Sequence, residues 1–286
     1  MLSKAYMARA ETKGKYSTNY YIYDKVLEEK ITQEQQIESS MEMALKNKEF
    51  KVLYQPKIDT KTEKIAGAEA LVRWNKDGKT IPPNKFIPLF EKNKFIINLD
   101  LYVFEEVCKD IAIWKQRYKY VPMTSINVSK THFENENFID RYVQIANKYN
   151  LNTEELDLEI TESATVDESI DSLKILKDIK AKGFTVSMDD FGTGYSSLSM
   201  LQSMPIDTIK IDKVFIEKAD LNSDQNIINY IMLISKHLGV KTVVEGVETK
   251  EEIDFVRKLG CDLIQGYYYS KAMEKEEFEE YFSKNM

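Results

Sequence analysis

From Lys51 onward the chain repeats one rhythm: a short apolar or β-branched run, a segment with apolar residues at helical spacing, a glycine, then another apolar run. Between Asp167 and Lys182, Ile170, Leu173, Leu176 and Ile179 share one helical face, Gly183 follows, and FTVSM reads as a strand. Asn222 to Leu238 repeats the scheme with Ile227, Ile231, Ile234 and Leu238 on one face, Gly239 as the stop and VKTVVE beyond it. Glu251 to Leu259 does so again, with Gly260 ahead of CDLIQGYYY. A glycine just past the last turn supplies the left-handed residue that ends a helix and lets the chain reverse. Helix, stop and strand in this order predict βα units and a parallel sheet.

The strand candidates are VLYQPKI, IAGAEALVRW, TSINVS, LDLEIT, FTVSMDD, DTIKID, KTVVEG and DLIQGYYY. Eight strands over this length predict an α/β fold of the (β/α)₈ TIM-barrel type. Only Asp59 to Glu63 separate the first two, which is too short for a parallel crossover and enough for a hairpin. The barrel is therefore expected to be modified, with one early strand antiparallel.

Composition narrows the chemistry. With 286 residues, 43% of them hydrophobic, the chain can bury one large core. A formal charge of -7 argues against tracking a DNA or RNA duplex, because such binding rests on Lys and Arg neutralising phosphates. No apolar run is long enough for a membrane span and no signal peptide is evident, so the chain reads as cytoplasmic and free of membrane contact. Cys108 and Cys261 are too few for a disulfide framework. Together with His132 and His237 they match no zinc spacing, so any metal must be held by oxygen, which favours Mg²⁺ or Mn²⁺. The bland assignments for the histidines are a surface residue for His132 and a helix end for His237.

Acids placed inside apolar strands carry the functional argument. Glu69 lies in AGAEALV, Glu159 in LDLEIT, Asp189 in VSMDD, Asp212 in IKID and Glu245 in TVVEG. Any one of them could be an ion-paired core residue. Five on five strands whose ends converge would destabilise the barrel unless cations neutralise them. Divalent ions do that best, and would let Asp189 and Asp190 sit side by side. Asn127 in SINVS adds a neutral oxygen, while Lys210 in TIKID and Arg73 in ALVRW add cations that suit a phosphate ligand. The bland alternatives are a salt bridge for Lys210 and a snorkelling surface residue for Arg73. Gln55 and Gln265 could contact a base or sugar. Gly192 and Gly194 read as a mobile loop after the paired aspartates.

The motifs YQP at 54 to 56, EALVRW at 69 to 74, FIPLFE at 86 to 91, INVS at 126 to 129, LEITE at 158 to 162, DDFGTGYSSL at 189 to 198, IKID at 209 to 212, EGVET at 245 to 249 and QGYYYSK at 265 to 271 occur in one order. In this the chain resembles the EAL-domain family of cyclic di-GMP phosphodiesterases over Val52 to about Met273. The resemblance implies hydrolysis of cyclic di-GMP to linear pGpG at a two-metal Mg²⁺ or Mn²⁺ site. Position by position, it implies that Glu69, Asn127, Glu159 and Asp189 bind one ion and that Asp189 bridges to a second held with Asp190. Lys210 and Glu245 would place or deprotonate the water, and Glu162 would anchor the DDFGTG loop. Gln55, Leu71, Arg73, Gln265 and Glu248 would contact the dinucleotide or support its site. Val244 stands where the family usually has alanine, and SKAM where it prefers SKPL; neither change touches a ligand. A homodimer is also common in the family, though no residue pattern marks its interface.

Residues 1–24 resemble the C-terminal end of a GGDEF domain whose signature loop is absent, 25–48 read as a charged linker helix with Ile37, Met41 and Leu45 facing the barrel, and 49–286 form the barrel. The chain is thus expected to be part of a longer GGDEF-EAL protein. Two other function classes compete. A cyclic di-GMP receptor with little turnover is disfavoured by the intact acids. A metal-dependent barrel enzyme that abstracts a proton beside a carboxylate with Lys210 would need a capping domain, for which the 48 leading residues are too few and too charged.

Overall fold

Among the described residues nine strands form one sheet in the order β1-β9-β8-β7-β6-β5-β4-β2-β3, and β1 pairs with β2 to close it. The computed structural model describes residues 24–165, 171–192, 198–219 and 226–285. The strands are β1 Phe50–Asp59, β2 Ile65–Lys76, β3 Lys79–Ile81, β4 Met123–Asn127, β5 Leu156–Thr161, β6 Thr185–Phe191, β7 Thr208–Ile211, β8 Lys241–Val244 and β9 Leu263–Ile264. From β2 through β4 to β9 the barrel neighbours are parallel, while β1 runs antiparallel to both β2 and β9. The expected modified barrel is therefore present, and β1 is its reversed strand. The Asp59 carboxylate makes the reversal into β2 by accepting from the Lys61 and Thr62 backbone amides at 3.0 and 2.7 Å.

The added strand β3 was not foreseen. It extends β2 through Asp77 and Gly78, both at positive φ, the two-residue turn whose twist suits a hairpin.

The longer helices of the described residues are α1 Lys25–Lys46, α2 Pro83–Lys92, α3 Ile96–Arg117, α4 Phe138–Lys148, α5 Ser172–Ala181, α6 Ile227–Leu238, α7 Lys250–Lys258 and α8 Lys275–Lys284. Gly239 and Gly260 end α6 and α7 at positive φ, as their positions in the sequence require. On α1, Ile37, Met41 and Leu45 pack against the core, and Asn93 Nδ2 just beyond α2 donates to Glu38 at 3.3 Å. None of the described helices is long and apolar enough to cross a membrane.

Two expectations are corrected. On α6 the expected stripe holds at Ile231, which is buried, and at Ile234 and Leu238, which pack against the core, but its first member fails: Ile227 is 66% exposed, and Ile228, Met232 and Ser235 complete the inner face. His132 is buried, within 3.1 Å of Asp100 Oδ2 and 3.2 Å of the Tyr142 hydroxyl, so it is a polar core residue and not a surface one. The predicted helical turns at 167–170 and 222–225, the GGDEF-like stretch up to residue 23, and Gly194 lie outside the described residues.

Side chains pointing out of the barrel meet the helices. Phe50 and Trp74 pack with Phe86 and Phe90 of α2, while Tyr54 stacks on Phe278 and meets Trp114 edge-on. Each such ring buries enough apolar area to contribute about 1.5–3 kcal/mol. At the site end of the barrel, Gly266 is set against the backbone of Val247: an added Cβ would lie 2.1 Å from its carbonyl oxygen. Gly266→Ala is therefore expected to lower stability by about 1–3 kcal/mol, read as a fall in urea midpoint with unchanged slope. An unchanged midpoint would show that the two loops have room to separate.

Candidate active site

Residues two apart along a strand face the same side, so each barrel strand sends a pair inward at successive depths. Gln55 and Lys57 on β1, Ser125 and Asn127 on β4, Asp157 and Glu159 on β5, and Ser187 and Asp189 on β6 are such pairs. Their upper members, with Glu69 and Leu71 on β2, Lys210 on β7, Glu245 after β8 and Gln265 after β9, surround the C-terminal mouth. A cavity of about 380 Å³ opens there, walled by Gln55, Leu71, Gln265, Glu248 and Tyr267 around the acids Glu69, Asp189 and Glu245. A larger groove of about 460 Å³ between α1, α3 and α4 has only Glu105 as an acidic wall residue, so it gathers no comparable chemistry.

The Lys210 ammonium is the centre. It donates to Glu159 Oε2 at 2.6 Å and lies 2.8 Å from Glu245 Oε1, 3.0 Å from Asp189 Oδ1 and 3.4 Å from Glu69 Oε2. Asn127 Nδ2 donates to Glu69 Oε1 at 3.0 Å, and Gln265 Nε2 to Glu69 Oε2 at 2.7 Å and to Gln55 Oε1 at 3.1 Å. Gln55 in turn donates to the Ser270 carbonyl.

Asp189 and Asp190 are separated by backbone geometry. The β6–β7 register shifts between Met188 and Phe191, and Asp190 takes a left-handed φ of 56° with its amide donating to Asp189 Oδ1 at 2.9 Å. A bulge of this kind re-aims consecutive side chains at a strand end. Asp190 is thereby on the exposed rim and Asp189 inside. Buried Glu162 accepts from the Gly192 amide at 2.9 Å, tying down the start of the following loop. Gly192 sits at φ 90° and a Cβ there would be 2.5 Å from the Phe215 ring.

Arg73 lies on the inward-facing register of β2 beyond Leu71, but it is not part of the cavity wall; its guanidinium donates to the Val72 carbonyl at 2.9 Å. Asp212 borders the cavity and accepts from the Val214 amide at 2.7 Å.

Sequence reasoning missed Lys57. It is buried, with its ammonium 2.6 Å from both Glu159 Oε1 and Ser125 Oγ. Its signal was available: it lies two residues from Gln55 and so shares that inward face.

Four carboxylates thus face two buried ammonium groups, and the protonation equilibria reflect the imbalance. Burial works against the charge of Glu159, yet Lys210 and Lys57 outweigh it and hold the carboxyl down at about 2. Burial also opposes charge on Lys210, and the surrounding carboxylates, Glu159 foremost, raise it well above the ordinary lysine value. Glu69 is raised, by burial and then by Glu159. Asp190 is raised by burial, then by Asp189 and Asp212. Glu245 is pushed up to about 8 by burial, with Glu69 and Asp189 adding to it against the pull of Lys210. About a fifth of its side chain is open to solvent, and water there screens part of the effect.

The donor set is hard oxygen, and its excess negative charge suits a divalent cation of the Mg²⁺ or Mn²⁺ kind. As they stand, no three acidic, histidine or cysteine side chains among the described residues are spaced to ligate an ion, because their oxygens gather on Lys210.

The family model described as the EAL domain matches residues 38–272. The signaling protein YkoW of Bacillus subtilis is 34% identical over 98% of this chain and 35% of its own length. The cyclic di-GMP phosphodiesterase NbdA of Pseudomonas aeruginosa is 30% identical over 98% of this chain and 36% of its own. The chain therefore spans about a third of these relatives. The solved structure of the PaMucR phosphodiesterase in complex with c-di-GMP superposes with a TM-score of 0.79 at 32% identity, covering 85% of this chain and 99% of that one.

The electrostatics predict a pH signature in chelator. Glu245 at about 8, against an ordinary 4.5, keeps a proton in the folded chain that the unfolded chain releases. Its contribution to stability therefore falls as pH rises from about 4.5 through 8, by at most about 1.4 kcal/mol per pH unit. Urea denaturation of the wild type and Glu245→Gln at pH 5, 6, 7 and 8 should give a shallower decline in the variant. Parallel declines would remove Glu245 as the titrating group.

Proposed function

The chain belongs to the EAL domain family, and from that premise we propose that it hydrolyses cyclic di-GMP to linear 5'-pGpG with Mg²⁺ or Mn²⁺. The observation that carries this reading is the convergence of Glu69, Asn127, Glu159, Asp189, Lys210 and Glu245, drawn from separate parts of the sheet, on one barrel mouth. Relatives that share the domain include a named cyclic di-GMP phosphodiesterase and a structure with c-di-GMP bound.

In this reading Glu69, Asn127, Glu159 and Asp189 hold one ion, and Asp189 and Asp190 hold the second. When bound, a divalent pair there would supply Lewis acidity toward the phosphodiester and lower the pKa of a nearby water. Glu245, at the cavity edge and with a raised pKa, takes the proton from the attacking water. Lys210, kept cationic by its neighbours, orients that water and offsets charge developing on the phosphoryl oxygens. Gln55, Leu71, Gln265 and Glu248 form the wall on which the dinucleotide rests, with Arg73 beyond them toward a phosphate. Glu162 sets the loop that carries Asp190 through its bond to Gly192.

The fragment reading goes with it: residues 1–24 as the end of a GGDEF domain and 25–48 as the helix that joins it to the barrel. Helix α1 supports the second part, being N-capped by Asp24 and packed on the core along one stripe.

Incubating the purified chain with cyclic di-GMP, in Mg²⁺, Mn²⁺ or chelator, and resolving products by chromatography tests the proposal. Metal-dependent pGpG is the expected outcome; intact nucleotide that still binds would make the chain a receptor. Asp190→Asn should lower turnover by on the order of 100-fold or more while leaving a folded barrel. Turnover at the normal rate in that variant would overturn the two-metal assignment. Glu69→Ala should lose metal-dependent nucleotide binding, and unchanged affinity would remove Glu69 from the ligand set.

A further inference from the structure

The wall of the mouth cavity is acidic. Among the described residues Glu69, Asp189, Asp212, Glu245 and Glu248 line it against two cations, Lys210 and Lys213. An anion entering such a mouth is repelled unless a cation receives it, and Lys210 is already committed to four carboxylates. Lys213 is placed differently. It follows Asp212 beyond β7 and caps the short helix Val214–Glu217. Its ammonium meets Glu217 Oε1 at 3.1 Å, with both side chains more than half exposed. An exposed pair four residues apart is weak, so the ammonium can exchange partners.

The lysine stem runs against the loop that carries Glu245. Gly246 stands there at φ 66°, and an added Cβ would lie 2.9 Å from Cδ and 3.1 Å from Cγ of Lys213. A side chain at this position would displace the stem, and only glycine accepts that backbone without strain. Glu217 foremost, then the wall residues Glu248 and Asp212, raise the pKa of Lys213, so its charge lies in the field of the cavity as well as of its helix.

We propose that Lys213 captures the substrate: its ammonium leaves Glu217 to receive one phosphodiester of the cyclic dinucleotide at the rim of the cavity. In the closed sheet β7 stands four strands from β2 in either direction, so Lys213 lies across the mouth from Arg73. A cyclic dinucleotide carries its two phosphodiesters on opposite sides of the ring, and a cation on each side of the mouth matches that disposition. The inference rests on the proposed function and adds a residue to it that lies just outside the IKID motif. A contact made as the ring settles is the same before and during bond breaking, so it acts on KM and not on kcat.

The test reads affinity and turnover separately. Calorimetry on the full chain in chelator gives Kd for cyclic di-GMP, and steady-state assays in Mg²⁺ give KM and kcat. Lys213→Met should raise Kd and KM by about tenfold at low salt and flatten the salt dependence of Kd. Lys213→Arg should restore most of the affinity. Glu217→Gln removes the ammonium's competitor from outside the cavity wall, and should lower Kd by about twofold. A lysine that merely supported the loop would not give opposite shifts in Lys213→Met and Glu217→Gln. Unchanged Kd and KM in Lys213→Met, or a fall in kcat at constant KM, would overturn the capturing role. A wild type that binds the nucleotide without cutting it would overturn the hydrolase reading while the Kd series still decides Lys213, and one that neither binds nor cuts would overturn both.

Discussion

Everything at the mouth of this barrel depends on one ammonium group buried among carboxylates. Lys210 is 1% exposed and has four carboxylate oxygens within 3.4 Å. Taking such groups out of water is costly, and a single unpaired partner would leave a penalty of about 3–5 kcal/mol. The arrangement persists because the strands deliver the charges already paired, and because Asn127 and Gln265 spend their donors on Glu69. A core assembled this way is held by geometry more than by gain in stability. What it secures is a set of oxygens in defined places.

The reversed strand β1 is part of that geometry. Running against β2 and β9, it places Gln55 level with Glu69 and Lys57 level with Gly67. One strand thus contributes a neutral amide to the mouth and a cation to the layer beneath it. The alternate face of the same strand is apolar or aromatic: Tyr54 packs on Phe278 and Trp114 and sends its hydroxyl to Asp110 at 2.7 Å. Strand periodicity is what lets a charged interior and an apolar exterior share consecutive residues.

That periodicity also explains what could be read in advance. Glu69, Glu159, Asp189 and Glu245 stood out because each interrupts an apolar run, and the helix-glycine-strand rhythm gave the barrel and its early hairpin. Lys57 did not stand out, because a lysine near the end of YQPKI looks like a strand reaching solvent; only the depth of its layer in the closed sheet shows it buried. The start of the α6 stripe was misjudged for a related reason: Ile227 and Ile228 are both apolar, either could lead into Ile231, and packing alone chooses Ile228. His132 likewise follows an exposed-looking SKT, and the Asp100 that buries it lies 32 positions away.

The paired aspartates show how local strain serves the site. An unbroken strand would send Asp189 and Asp190 to opposite sides of the sheet. The bulge and the left-handed Asp190 instead interrupt the β6–β7 register there before pairing resumes at Phe191, at a cost on the order of 1–3 kcal/mol that the surroundings must offset. Glu162 supplies part of that restraint through the Gly192 amide, and Phe215 fills the space that only glycine leaves open. Two like charges are adjacent in sequence but differ in depth, one inside against Lys210 and one at the rim. The fold therefore solves the repulsion twice: the ammonium compensates the inner carboxylate, and the bulge removes the outer one to where solvent or a cation can reach it.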